Sequence, residues 1–218
     1  MAAVDQLNQA TTALVRGAAG LAIHLSAAQL AAFQSYIEAI LFWRTRISLT
    51  GALSPSVIVE DHILDSLSIA PMIHTAERVA DLGSGAGFPG IPVAIVRPQA
   101  AICLVESRRK RASFLREAVR ICKLDNVQVV ENRAELLRAR TDIEFDLIVS
   151  RAVWKVPEFL DIAGPLLRIG GRAMAMKSPQ GLAEVGSHTT FHSPEIFCYR
   201  LHDRIERRLL VFTKRTSA

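Results

Sequence analysis

The residues best suited to do chemistry are Val79-Ala80-Asp81-Leu82-Gly83-Ser84-Gly85-Ala86-Gly87-Phe88-Pro89-Gly90. They read as a strand end, an acid and a glycine-rich turn, the arrangement with which α/β proteins cradle nucleotide-like cofactors. Glycine lacks a Cβ, so the backbone can take positive φ and a ligand can lie directly on the main chain. Gly85-Ala86-Gly87-Phe88-Pro89-Gly90 satisfies the dinucleotide spacing G-x-G-x-x-G. Read from the strand, Asp81-x-Gly83-x-Gly85-x-Gly87 is the looser pattern of enzymes that use S-adenosylmethionine (SAM). An acid at a strand end beside the cofactor would repel a pyrophosphate and attract the sulfonium and ammonium of SAM. Pro89 and Pro92 stand where the next helix must begin and remove N–H donors that a pyrophosphate would use. A glycine-rich turn without any ligand is the plain structural alternative.

Glu106 closes a second strand, 23 residues after Gly83. In both cofactor classes an acid here accepts hydrogen bonds from ribose hydroxyls; it would serve equally as a cap for the helix from Arg108. A third strand leads to Asn132-Arg133-Ala134-Glu135, where a SAM fold lays the adenine ring. Glu135 also suits a solvated first turn, which favours acids.

After a fourth strand comes Ser150-Arg151-Ala152-Val153-Trp154, in place of the Asn/Asp-Pro-Pro-aromatic motif that binds exocyclic amines of bases. Methylation of pyrimidine C5 needs a cysteine nucleophile; Cys103 lies within strand two and Cys122 on a core-facing helix. A target that is already nucleophilic remains, such as guanine N7, whose in-plane lone pair needs alignment and water exclusion rather than a base. Arg151 sits on the carboxyl edge of the sheet, placed to reach the cofactor carboxylate or the target base. Its structural alternative is an ion pair with Asp81 or Glu135. His62 and Asp65, at i,i+3, read as a local hydrogen-bonded pair packing an interface. Asp61, His62 and Asp65 lack further ligands for a metal, so none is expected.

The elements that position these residues change character near residue 75. Before it the patterns are helical: a loose alanine-rich helix over 1–20, and a helix capped by Ser26 with Gln29, burying Leu30, Phe33, Ile37, Ile40 and Leu41. A third helix opens at Ser54-Pro55, carries Ile58, His62, Asp65 and Ile69, and stops at Pro71. From 76 onward strands at 78–81, 101–106, 127–130, 146–150 and 172–177 alternate with helices from about Pro92, over 108–123 and over 156–167. That alternation predicts an α/β fold with a doubly wound parallel sheet. Segments 196–201 and 209–213 add an antiparallel C-terminal edge. The expected organisation is a helical region, 1–75, followed by a Rossmann-like SAM-binding domain, 76–218.

Half of the 218 residues are apolar, which supports a real core. No run nears the roughly 20 apolar residues of a membrane span, and no signal peptide is evident at the start. Three widely spaced cysteines suit reduced thiols in the cytoplasm. Net charge is +5, and 21 of the 26 basic residues are arginine, a bias towards phosphate and bases. On the helix 108–123, Ala112, Leu115, Val119 and Cys122 face the core while Arg109, Arg116, Arg120 and Lys123 line a flank. That flank reads either as an RNA surface or as a solvated face.

Together the pieces Leu49-Thr50, His62-Ile63-Leu64-Asp65-Ser66-Leu67, the loop Asp81–Pro92, Glu106-Ser107, Lys110-Arg111, Phe114-Leu115, Asn132–Glu135, Ser150-Arg151-Ala152 and Lys177 resemble one family. It is the bacterial 16S ribosomal RNA (guanine-N7) methyltransferases, also called glucose-inhibited division protein B. The Phe-Pro-Gly-Ile-Pro tail of the loop and the Ser-Arg-Ala turn are the most specific pieces. The resemblance implies transfer from SAM to guanine N7 in the decoding region of the small subunit, on free rRNA or on the assembled particle. It implies cofactor contacts at Gly83, Phe88, Ala134, Glu135 and Arg151, alongside Asp81, Gly85, Gly87 and Glu106 from the loop reading. RNA contacts are implied at Lys110, Arg133 and Lys177, with Arg151 central to transfer, in a cytoplasmic monomer. The chain departs from the family at Ser48, Asp61 and Ser178, where asparagine, a basic residue and glycine are usual. A SAM enzyme for small molecules and an NAD-dependent oxidoreductase are the competing classes; the latter leaves the Ser-Arg-Ala turn unexplained.

Overall fold

The computed structural model describes residues 2–47, 49, 54–140, 143–151, 153–179, 188–201 and 205–216. Seven strands form one sheet: β1 (Arg78–Leu82), β2 (Ala101–Glu106), β3 (Val127–Glu131), β4 (Phe145–Arg151), β5 (Leu167–Lys177), β6 (Glu195–Leu201) and β7 (Ile205–Thr213). Their order is β3-β2-β1-β4-β5-β7-β6. The first five pair in parallel, and β7 is antiparallel to both β5 and β6. The strand order reverses beside β1, and ligands in doubly wound sheets bind at such a switch point, outside the carboxyl ends of the strands.

Strand side chains alternate between faces, and the core divides accordingly. Val79, Leu104, Val149, Met174 and Val211 join one buried cluster. Ala80, Val105, Ile148, Ala173 and Phe212 join the other, under α7 (Val156–Ala163). The first face carries α5 (Gly90–Val96) and α6 (Arg109–Ile121). Every residue of α5 is buried, because its Gly-Ile-Pro-Val-Ala-Ile-Val sequence is apolar all round and must be covered on its outer side too. The N-terminal helices supply that cover. The capping box of Ser26 and Gln29 starts α2 (Ala27–Trp43), and Gln29 Nε2 donates to the Ile95 carbonyl of α5 at 3.0 Å. Phe33, Tyr36 and Ile37 of α2 therefore share one core with Ile91, Phe114 and Leu147, so the core crosses the change of pattern near residue 75.

Several elements differ from expectation. The alanine-rich start is a packed helix, α1 (Ala2–Gly20), with Ala10, Leu14 and Ala18 buried. A Cβ on its Gly17 would lie 2.3 Å from Leu64, a mark of close helix contact. The helix opening at Ser54 is composite: α3 (Pro55–Val57), a π-helical turn (Ile58–Ile63) and α4 (Leu64–Leu67). π-turns are rare and favour functional sites. Helix α7 stops at Ala163, before the 3₁₀ turn Gly164–Leu166 that holds Pro165. β5 begins at Leu167, earlier than expected, because a register shift opposite Phe145–Leu147 absorbs Gly170, at φ +73°.

Candidate active site

The chain leaves β1 into the glycine loop on the carboxyl edge. Gly83, Gly85 and Gly87 have φ of +70°, +57° and +93°, values that side chains with a Cβ rarely adopt. Gly83 and Ser84 N–H both donate to the Val105 carbonyl, at 2.9 and 3.1 Å, tying the loop to β2. A Cβ on Gly85 would meet nothing nearer than the Gly83 carbonyl at 3.8 Å, so the main chain here faces open space. At Gly87 a Cβ would strike Ile91 and the Tyr36 hydroxyl, at 2.6 and 2.9 Å.

Asp81 lies under the loop and is wholly buried. Its Oδ2 accepts from Gly90 N–H at 3.0 Å, while Oδ1 has no partner among the described residues. Burial pushes the carboxyl up to about 7, the Gly90 bond opposing this. Asp81 thus props the loop from beneath rather than lining an open wall.

On one flank of the loop a cavity of about 450 Å³ is lined by Gly83, Glu106, Asn132, Arg133, Ala134 and Glu135, with Val153 and Trp154 along its rim. Glu106 Oε2 accepts from Gly85 N–H at 3.0 Å and Oε1 from Arg108 N–H at 2.8 Å. Glu106 thus holds the N–H of Arg108, the residue before α6, but is not the helix cap considered for it, because α6 has no side-chain cap hydrogen bond. A carboxylate retains further lone pairs for ribose hydroxyls. Ala134 opens a 3₁₀ turn (Ala134–Leu136) that leaves Glu135 exposed at the mouth. A larger apolar cleft, about 570 Å³, opens beside Ile102, Gln128 and Phe145 and includes none of the expected site residues.

The other flank is closed and rich in side chains. Phe88 is buried, with His62 stacked on it (centroids 5.1 Å apart, 27° between planes) and Tyr36 tilted against it at 5.5 Å. The Arg151 guanidinium lies 5.1 Å from the same ring. Arg151 Nη1 also contacts His62 Nδ1 at 3.0 Å and Asp65 Oδ2 at 3.3 Å. The carboxylate partner of Arg151 is thus Asp65, and not Asp81 or Glu135, the two ion pairs weighed as its structural alternative. His62 and Asp65 do share a helix side, but both meet at Arg151. A guanidinium only donates, so Nδ1 accepts and the ring is neutral. Burial, then Arg151, lowers the His62 pKa to about 4. Asp65 also accepts from Tyr199 Oη at 2.8 Å, and Arg207 Nε stands 3.7 Å from the same oxygen.

The expected RNA residues are dispersed. Lys110 and Arg133 are exposed, whereas Lys177 donates to the Trp154 carbonyl and braces the cavity rim. Arg116 pairs with Glu131 at 3.0 Å and Arg120 with Glu117 at 2.7 Å, so part of the α6 flank is internally neutralised. Burial raises the Cys103 thiol to about 11 and the Cys122 thiol to about 12, leaving neither as a ready nucleophile. Of the remaining family positions, Ala152, Thr50 and Ser48 lie outside the described residues, whereas Asp61 and Ser178 lie within them. Tyr36, Tyr199 and Arg207 were not singled out by sequence. A tyrosine on an edge strand and one arginine in an arginine-rich hairpin carry no local signal.

A relative from Desulfitobacterium hafniense (strain Y51), named ribosomal RNA small subunit methyltransferase G, is 34% identical over 91% of this chain and 86% of its own. Among solved structures, a predicted O-methyltransferase from Agrobacterium tumefaciens superposes with TM-score 0.60 at 23% identity, covering 71% of this chain and 82% of that one. M. jannaschii TYW2, solved in complex with AdoMet, superposes at 0.53 with 16% identity, over 71% of this chain and 76% of its own. Both structures share the Rossmann-like methyltransferase fold. Residues 29–197 match the family described as GidB, rRNA small subunit methyltransferase G, and the chain belongs to that family.

Proposed function

We propose that this chain transfers a methyl group from SAM to guanine N7 in 16S rRNA of the small ribosomal subunit. The observation that carries this is one loop with two complementary flanks. Gly83–Gly87 separates a cavity of nucleoside size from a cation held over an aromatic ring. The donor set fits SAM. Gly85 presents bare main chain to open space, Glu106 faces the cavity, and the unpartnered Oδ1 of Asp81 lies beneath the loop.

In this assignment Glu106 takes the ribose hydroxyls, Ala134 and Glu135 flank the adenine, and Gly83, Gly85 and Gly87 bed the methionine portion. Bound SAM supplies an electrophilic methyl on a sulfonium. Phe88 backs Arg151 from the buried side, and the partly exposed Arg151 orients an entering guanine so that N7 lies in line with the methyl group. No side chain is needed to take a proton, because N7 has none. His62 suits that economy: its Nδ1 lone pair is engaged by Arg151 and its basicity is low. Lys110 and Arg133 contact phosphates, and the protein works as a cytoplasmic monomer without metal.

The test is tritiated methyl transfer from SAM to 30S particles and to free rRNA, both from a strain lacking this protein. N7-methylguanine is then located by borohydride and aniline cleavage. Label in N7-methylguanine of 16S rRNA supports the proposal. Label elsewhere in the RNA, or transfer only to small molecules, overturns it.

A further inference from the structure

Asp65 is 1% exposed, a carboxylate seldom buried so deeply without a task. It draws together three segments distant in sequence. Arg151 comes from the end of β4, Tyr199 from β6 and Arg207 from β7, while Asp65 itself sits in α4 just after the π-turn. The backbone around it is also pinned: Ser68 Oγ donates to the Asp65 carbonyl and Ser66 Oγ to the His62 carbonyl, each at 2.6 Å. An ordinary stabilising ion pair needs one cation. Here the second carboxylate oxygen takes a phenol hydroxyl from an edge strand, which fixes the rotation of the carboxylate about its Cβ–Cγ bond. With one oxygen held by Tyr199, the other is presented to Arg151 in a single orientation. His62 Nδ1 takes the same guanidinium nitrogen at 3.0 Å, and the guanidinium carbon stands over the Phe88 ring, 5.1 Å from its centroid.

We infer that Asp65 and Tyr199 are positioning residues for methyl transfer, holding the Arg151 guanidinium over Phe88. The inference rests on the function proposed above. Neither residue touches cofactor or target; both act through Arg151. The N-terminal helices would thereby complete the active site rather than merely cover α5.

The test is kinetic, on the full chain with 30S particles and SAM. Asp65→Asn removes the charge, and Tyr199→Phe removes only the hydroxyl and keeps the ring volume. Misplacing Arg151 should lower kcat for Asp65→Asn by about 100-fold with little change in the KM for SAM. Tyr199→Phe should lose roughly 10-fold, the worth of one hydrogen bond to a charged group, with its melting temperature near that of the wild type. The decisive measurement is the double variant. In an Arg151→Ala background, Asp65→Asn should change kcat by less than about 2-fold, because residues that act as a unit are not additive. An undiminished loss in that background, or a normal kcat for Tyr199→Phe, overturns the inference and leaves the methyltransferase proposal intact. Absence of transfer by the wild-type protein to either RNA substrate overturns both together.

Discussion

On one flank of the glycine loop the cavity is walled by the ends of β1, β2 and β3, with Glu106 holding two main-chain N–H groups. On the other, side chains from α2, the π-turn, α4, β4, β6 and β7 converge on Phe88 and Asp65. The first flank is open and made largely of main chain. The second is closed, and each member depends on a partner far away in sequence. On the function proposed above, cofactor binding and alignment of the target fall on opposite sides of one loop and should fail separately.

The largest separation is expected from Gly85→Val. Its Cβ meets no protein atom nearer than 3.8 Å, so the added side chain projects into space assigned to the cofactor. The left-handed backbone adds a conformational cost of about 1–2 kcal/mol. SAM affinity measured by calorimetry should fall more than about 100-fold, some 2.7 kcal/mol, while the folded signal persists. Gly90→Val is the contrast: a Cβ there lies 2.2 Å from Leu104 and 2.8 Å from Asp81. It should unfold the domain instead. A folded Gly85→Val protein with unchanged SAM affinity would remove the cofactor flank from its assigned role.

Arg151→Ala tests the other flank. Turnover should drop on the order of 100-fold or more, about 2.7 kcal/mol at the transition state, while SAM affinity barely moves. Asp65 then keeps Tyr199 and the more distant Arg207, so stability falls by less than the roughly 3–5 kcal/mol of a fully orphaned buried charge. Arg151→Lys should recover little, since an ammonium lacks the planar fork that meets His62 and Asp65 while standing over Phe88. An early-melting variant with normal turnover below its transition would make Arg151 purely structural.

How much of this was legible in the sequence follows the same division. The cofactor flank is written in short, contiguous pieces, each at the end of a strand, so Gly83, Glu106 and Ala134 could be placed by topology alone. The apolar run of α5 could have shown that the helical region packs on the sheet, because a helix without a polar face must be covered. The Phe88 flank was half legible. His62, Asp65 and Arg151 stood out singly, but their meeting depends on a π-turn and on a separation of 86 positions between Asp65 and Arg151. Tyr199 lies 134 residues from Asp65, beyond the reach of any periodicity. Strand and helix ends shifted where Pro165 and Gly170 impose local geometry that hydrophobic pattern does not record.

Between the flanks lies Asp81, whose titration gives a pH test. Its carboxyl is raised from 3.8 to about 7, so the folded state favours the protonated form. That contribution is fully present below pH 3.8 and is lost as pH rises through about 7. His62 runs the other way: lowered from 6.5 to about 4, its contribution is present above 6.5 and lost on acidification. Comparing Asp81→Asn with the wild type cancels His62. The variant keeps an acceptor for Gly90 N–H and cannot ionise. Its melting temperature should gain on the wild type from pH 4 to 7, by several degrees, and run parallel above. A difference independent of pH would show that the buried carboxyl does not titrate there.

The smallest expected effect concerns the RNA surface beyond both flanks. Each phosphate contact contributes about −0.7 to −0.9 to the slope of log affinity against log salt. Arg133 lines the cavity and Lys110 is exposed in the first turn of α6, so their joint replacement by alanine should flatten that slope by roughly one to two units. SAM affinity should stay unchanged, because neither side chain anchors the glycine loop. Arg116 and Arg120 provide the internal control. Both lie on the same helix as Lys110, yet each already faces a carboxylate, Glu131 and Glu117 respectively. Recruiting them to phosphate would require breaking those pairs, so their double alanine variant should leave the slope within about half a unit of the wild type. Equal flattening by the two double variants would mean that the whole α6 flank meets RNA as a diffuse positive field, with no privileged contacts beside the cavity.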